Sequence, residues 1–247
     1  MNTIFVHRDG RTEQVTSIDR SWLSPASGVY LWVDLASPNI PESLVLTDTF
    51  AFHRCAVDDA LTPSPMPKID AYDGYLFAAM AGADADVGFF VGARSLVSVR
   101  WSESKAIADG MDSVRHGGKQ FDDGPFMMFH RLVDAMTGGF TSAMQRLAAS
   151  AGASEARLLE KPTAAAVREA VDARSAAFAL MLRLSRLAVA VGRLAARDIV
   201  AVSDEMSLRF RHVRHQLVRL ADEAMAIDRR LGDVLAAAGA ASGRRWI

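Results

Sequence analysis

The residues with the most chemical potential cluster late in the chain, where Arg209, Arg211, Arg214 and Arg219 enclose His212 and His215. Imidazole is a ligand for zinc, cobalt, nickel or copper, and in its protonated form it is a cation that can pair with a carboxylate. The plainer alternative is that both histidines lie on a solvated, Arg-rich helical face. His53 and Cys55 could supply two soft ligands, although a lone cysteine is more often inert packing. Lys68 and Asp70 read as a surface ion pair, and Met127, Met128 and Met181 as core filling. Gly88, Gly92 and Gly117-Gly118 do not sit in a strand, Gly-rich turn and helix ending in Lys-Ser/Thr, so no phosphate loop is expected. No Ser, Cys, His and Asp combination has the context of an activated nucleophile, and an enzyme reading finds no support.

The elements that must position these groups fall into two textures. Up to about residue 115, short β-like runs alternate with turns and short helices. Ile4-Phe5-Val6 ends at Asp9-Gly10, a turn pair that feeds a strand near Gln14-Val15-Thr16. Val29 to Leu35 reads as a strand buried on both faces. A helix is expected over Pro38 to Phe50 with Leu44, Val45 and Phe50 inward, and another over Cys55 to Leu61, ended by Pro63, Pro65 and Pro67. Three strands follow at Tyr75 to Met80, Val87 to Val91 and Leu96 to Arg100. This pattern predicts an α/β fold, an αβα sandwich around a mixed sheet, over residues 1–122.

Residues 123–247 are dominated by Ala, Leu, Arg, Met and Glu, all good helix formers. Three long α-helices are expected, over 125–160, 163–201 and 204–238. In the second, Val167, Val171, Phe178, Met181, Leu182, Ser185 and Val189 recur at three- and four-residue spacing and predict its packing stripe.

Composition sets further bounds. With 247 residues, half of them hydrophobic and 23% charged, the chain is globular in composition. A net charge of −1 offers no global attraction to nucleic acid or to an anionic membrane. One cysteine, Cys55, excludes an internal disulfide and suggests a reducing compartment. The N-terminus shows no signal-peptide pattern. The longest charge-free run, Ser21 to Val33, is broken by Pro25, Ser27 and Gly28, so no membrane span is expected.

Taken in order, several segments resemble the CorA-type divalent metal transporter family. Trp32-Val33-Asp34-Leu35 is similar to the family's Trp-x-Asp-Leu strand. Phe52-His53-Arg54-Cys55-Ala56-Val57-Asp58-Asp59-Ala60-Leu61 resembles its FHPLAVEDAL helix. Pro67-Lys68-Ile69-Asp70, Tyr72 and Gly74-Tyr75-Leu76-Phe77 follow as in the family. So do Phe90-Val91-Gly92, Leu96-Val97-Ser98-Val99, Gly124-Pro125, Leu132-Val133-Asp134 and the break at Leu159-Glu160-Lys161-Pro162. The resemblance implies a CorA-like soluble domain, a homo-oligomer (a pentamer), and magnesium or cobalt transport. It also implies a cytoplasmic location, full-length relatives being inner-membrane proteins.

The same resemblance implies that acids at subunit boundaries bind a regulatory divalent ion, Mg²⁺ in the family, and carries Asp58, Asp59 and Asp134 into that role. The family's Phe-Arg-Asp-x-x-Asp segment stands here as Phe210-Arg211-His212-Val213-Arg214-His215, with both aspartates replaced by histidine. Magnesium prefers oxygen ligands, so His212 and His215 would favour Zn²⁺ or Co²⁺, as in a zinc-transporting branch, or a protonated His212 would pair directly with Asp59. The family's two membrane spans and Gly-Met-Asn signature are not found, and Arg244-Arg245-Trp246-Ile247 resembles its basic-aromatic tail. The expected role is therefore a metal-responsive regulatory domain without its own pore, acting with its own copies or with a full-length subunit. The alternatives are a scaffold that kept the fold without metal regulation, or a remnant with no retained role. Leu231, Val234 and Leu235, lacking a membrane continuation, are expected to pack on another copy, a partner or the chain's own body.

Overall fold

The structure, a computed structural model, describes residues 2–63, 66–117, 123–196, 199 and 202–243. The chain divides into two compact units, Met1–Gly139 with Val189–Arg214, and Phe140–Ala188 with His215–Ile247. The long helices therefore contribute to both units.

The first unit is built on a seven-stranded mixed sheet of order β2-β1-β3-β7-β6-β5-β4. Its strands are β1 (Asn2–Arg8), β2 (Arg11–Val15), β3 (Tyr30–Ala36), β4 (Lys68–Tyr72), β5 (Tyr75–Met80), β6 (Val87–Gly92) and β7 (Ser95–Arg100). Only β3 and β7 run parallel, Trp32 opposite Leu96 and Asp34 opposite Ser98; the other neighbours are antiparallel. The central strands are buried along almost their whole length because both faces are covered.

On one face Val33, Leu35, Phe77, Phe90, Val97 and Val99 pack under α2 (Arg54–Ala60), which contributes Ala56, Val57 and Ala60. On the other, α3 (Lys105–Arg115) comes so close that a Cβ at Gly110 would lie 2.8 Å from Leu132 and 3.3 Å from Trp32. Phe89 meets Phe129 edge-on there at 5.2 Å, and Phe129 lies 5.5 Å from Phe210. Asp34, 1% exposed, receives Ser98 Oγ at 2.6 Å and an Arg100 ion pair at 3.1 Å; Trp32 Nε1 donates to Ser98 at 3.1 Å. The Trp-x-Asp-Leu motif is thus a buried polar clamp between the two parallel strands. Burial pushes the Asp34 carboxyl above its usual range, opposed by Arg100 and Ser98.

Two local expectations need correction. The segment after Asn39 is a short α1 (Ile40–Leu44) capped by Asn39 and Glu42, followed by a π turn over Val45–Thr49. That wider turn rotates Leu46 into the core and leaves Leu44 outside. Strand β4 is also present where only a proline-rich break was read, with Ile69 its one buried side chain.

The second unit holds the distal parts of α4 (Pro125–Glu160), α5 (Ala164–Ala195) and α6 (Asp204–Gly243). Thr163 Oγ1 accepts the Ala166 N–H and starts α5 just after Pro162. The α5 seam is not the predicted stripe. Ala166, Ala170, Ala173, Ala177, Leu184 and Leu187 are buried, whereas Val167, Val171, Phe178 and Leu182 are exposed; farther along α5, Val189 is 74% exposed. Both rows keep three- and four-residue spacing, so periodicity alone could not choose between them. Alanine wins the inside because it lets helix axes approach closely. From α6, Leu217, Leu220, Ala224, Ile227 and Leu231 are buried in matching alternation. Val234 and Leu235 pack on Leu158, Ala166 and Ala170, so this end is covered by the chain's own body. Arg157–Glu169 at 2.7 Å, Arg174–Asp228 at 3.0 Å and Arg230–Glu155 at 3.0 Å edge the seams.

Against the expectation of no membrane span, a single helix among the described residues is a candidate for crossing a bilayer. By length and composition, α5 is apolar enough to cross one. No charge-free run marks it in the sequence because Arg183 and Arg186 interrupt its most apolar stretch.

Candidate functional site

Strand β4 lies at the sheet edge, and its alternation sends Ile69 inward and Lys68 and Asp70 to the opposite face. Asp59, near the end of α2, meets them there. The Lys68 ammonium lies 2.5 Å from Asp59 Oδ2 and 3.0 Å from Asp70 Oδ2, with all three side chains 36–37% exposed. It also stands 5.7 Å from the centroid of the Phe77 ring. Arg193 of α5 closes the group, its Nη1 3.8 Å from Asp70 Oδ1 and donating to the Ile69 carbonyl. Two carboxylates and two cations balance. Partial burial pulls the Lys68 pKa down, but the hydrogen bonds and charges of Asp59 and Asp70 outweigh it, and the pKa lies above the ordinary lysine value. Lys68 is therefore a fixed ammonium, and the pairing is wider than the Lys68–Asp70 surface contact expected. The missed signal was the alternation Lys-x-Asp, which puts a cation and an acid on one strand face.

The other predicted ligands are dispersed. Asp58 is exposed and 3.8 Å from Arg54, one turn back on α2. His53 caps α2, its Nδ1 accepting the Cys55 N–H at 3.2 Å while its backbone N–H donates to the Tyr75 hydroxyl at 2.8 Å. Cys55 is exposed rather than buried. His212 and His215 are exposed on α6, one turn apart. Asp134 is half-buried on α4, one turn from His130. Among the described residues, no group of three or more His, Cys, Asp or Glu could hold a metal ion. A magnesium ion within one chain does not fit at Asp59 either, because the Lys68 ammonium holds the carboxylate it would need.

His130 itself was not singled out from sequence. Its ring stands edge-on to Phe210 at 5.2 Å, and Nδ1 is buried without a hydrogen-bond partner among the described residues. Burial lowers its pKa, Asp134 opposes this, and the Arg209 charge adds to it. Nearby, Asp123, Phe126, Glu205 and Arg209 line an open cleft of about 470 Å³. The Arg209 guanidinium is 2.9 Å from Glu205, and Asp123 is 2.8 Å from Arg131, so the cleft's charges are neutralised locally.

Comparison with known proteins agrees with this architecture. The family model for the CorA-like Mg²⁺ transporter protein matches residues 27–243. YfjQ of Bacillus subtilis, whose name describes a metal ion transporter, is 28% identical over 132 residues; the match covers 49% of this chain and 39% of YfjQ. The soluble domain of CorA from Methanocaldococcus jannaschii shares the fold with a TM-score of 0.79 at 13% identity, over 94% of each chain. The ZntB cytoplasmic domain from Vibrio parahaemolyticus gives 0.80 at 11% identity, over 98% of each chain. The α/β sandwich and the three long helices are those of a CorA soluble domain, and the chain belongs to the CorA-like Mg²⁺ transporter family.

Proposed function

We propose that this chain serves divalent metal ion transport as the regulatory, ring-joining domain of a CorA-type assembly at the cytoplasmic face, contributing no pore of its own. The observation that carries this is the family match over residues 27–243, together with a fold that covers 94% of a CorA soluble domain. Its partners would be further copies, as a pentamer, or a full-length CorA-like subunit.

The same reading assigns the cation at Asp59 to the protein. In a magnesium-regulated ring, bridging ions relieve repulsion between carboxylates at the boundary. Here Lys68 supplies that positive charge at 2.5 Å from Asp59, so the position is neutral before any ion arrives. Assembly would then be indifferent to Mg²⁺. A second reading is favoured by His212 and His215, exposed one turn apart on α6. Zn²⁺ or Co²⁺ bound there, completed by Asp59 or Asp134 of another copy, would keep the assembly metal-responsive with a softer ion.

Titration calorimetry with Mg²⁺, Zn²⁺ and Co²⁺ on the wild type and His212→Ala, beside light scattering, separates the two. Oligomers of constant mass with no heat from any ion support the first. Zinc or cobalt binding that vanishes in His212→Ala supports the second. A monomer under all conditions that also fails to join a full-length relative contradicts both.

A further inference from the structure

We infer that the cleft at the turn end of the sheet binds a small aromatic molecule carrying a protonated amine. This goes beyond the family reading and uses none of the groups around Asp59.

The turn Asp73-Gly74 joins β4 to β5, and the turn from β6 to β7 passes through Ala93 and Arg94. The two turns are neighbours because β5 pairs with β6, Tyr75 opposite Gly92. Both line an open cleft of about 380 Å³, a size that takes a small molecule.

Aromatic rings form part of its wall. Phe90, Phe52 and Phe50 make a near-parallel pile, with centroids 4.2 and 5.2 Å apart and interplanar angles of 9° and 6°. Phe90 and Phe52 are buried, and the pile ends at Phe50, which is half-buried and lines the cleft. Tyr75 adds a ring 4.7 Å from Phe52, and its hydroxyl already accepts the His53 N–H. Ring surface of this kind favours flat π-bearing molecules and cations.

The floor is kept open by a glycine. Gly92 is buried, and a Cβ there would stand 3.2 Å from Ser95 Oγ and 3.7 Å from the Gly74 carbonyl oxygen. Ser95 is only 8% exposed, yet its hydroxyl has no hydrogen-bond partner among the described residues. A buried hydroxyl left without a partner costs stability, and this one lines the cleft, where a ligand can satisfy it. Asp73, exposed on its turn, likewise makes no ion pair or hydrogen bond among the described residues.

These two uncommitted groups select the ligand. An ionised carboxylate only accepts and a hydroxyl can accept, so their complement is an N–H donor with positive charge. Arg94 also lines the cleft, its guanidinium 5.2 Å over the Tyr30 ring. With five donors, a guanidinium can take a ligand carboxylate without leaving such a ring. The class that uses every group is a planar ring with an ammonium, either a free amine or an aromatic amino acid. An aromatic acid without an amine would leave Asp73 and Ser95 as they are.

Calorimetry on the full chain with tryptamine, tryptophan and indole-3-propionate tests this. Both amines should bind at millimolar concentration or below, and indole-3-propionate about tenfold or more weakly. Either order of the two amines supports the site, tryptophan being the tighter if Arg94 takes its carboxylate. Asp73→Asn, on an exposed turn, should weaken both by about tenfold with the thermal melt unchanged. Ser95→Ala should also weaken both without lowering Tm, because no group of the fold uses that hydroxyl. A lower Tm with unchanged affinity would make Ser95 structural and overturn the site. So would no heat with either amine, equal binding of indole-3-propionate, or affinities untouched by Asp73→Asn. The family assignment and the role of Asp59 stand apart from each of these results.

Discussion

Replacing Lys68 with Met keeps a long apolar stem against Phe77 and removes the charge that Asp59 and Asp70 share. The two accepting oxygens lie 2.5 and 3.0 Å from one nitrogen, so they are at most about 5.5 Å apart. At that separation two carboxylates repel by roughly 3 kcal/mol at an effective dielectric of 20 and under about 1 kcal/mol in bulk water. With side chains more than a third exposed, the lower half of that range applies, and the lost ion pairs add about 0.5–1 kcal/mol. The expected cost is about 1–3 kcal/mol, or a fall in Tm of roughly 2–12 °C for a domain of this size. Asp59, freed of its ammonium, and Asp70, still 3.8 Å from Arg193, then form a site for a hard cation. If Mg²⁺ bound there with a millimolar Kd, ten times that concentration would restore about 1.4 kcal/mol. Thermal melts of wild type and Lys68→Met, with EDTA and with Mg²⁺, test the chain of reasoning. A wild type that gains as much from Mg²⁺ as the variant, or a variant as stable as wild type in EDTA, refutes it.

Three further outcomes are expected. Ala177→Leu, at a fully buried seam position, should overpack the helices and destabilise by about 1–3 kcal/mol in urea unfolding. Gly110→Ala should cost a similar amount, about 1–3 kcal/mol, because the added methyl meets Leu132 at 2.8 Å, while the circular dichroism spectrum stays the same. Because the folded-state pKa of His130 is lowered, its contribution to stability is complete above the unfolded value of about 6.5. That contribution is lost as pH falls through the folded pKa. Urea midpoints at pH 7 and near pH 5 should therefore differ more for wild type than for His130→Gln, with Asp134, Arg131 and Arg209 still in place; equal differences would remove His130 from the account.

Much of the sheet was legible because β1, β3, β5, β6 and β7 are apolar runs with punctuating turns. Strand β4 escaped because Lys-Ile-Asp-Ala-Tyr offers a single inward apolar residue, which is how an edge strand reads. The long helices announced themselves through composition, but the choice between the two rows on α5 depended on which one α4 and α6 cover, and that is tertiary information. The π turn at Val45 likewise shifted the inward position to Leu46, one place from the helical expectation. At the candidate site, the motif pointed to Asp59 while its true neighbour, Lys68, lay nine residues away across a proline-rich break. The approach of the Lys68 ammonium to Asp59 depends on the pairing of β4 with β5, which no local pattern contains.

The measurement closest to the central claim is the light-scattering mass of the wild-type chain in EDTA and in millimolar Mg²⁺. The same oligomer is expected in both, held without an ion at Asp59. An oligomer that forms only with Mg²⁺ and falls apart in EDTA would mean that Lys68 does not stand in for the metal, and would contradict it.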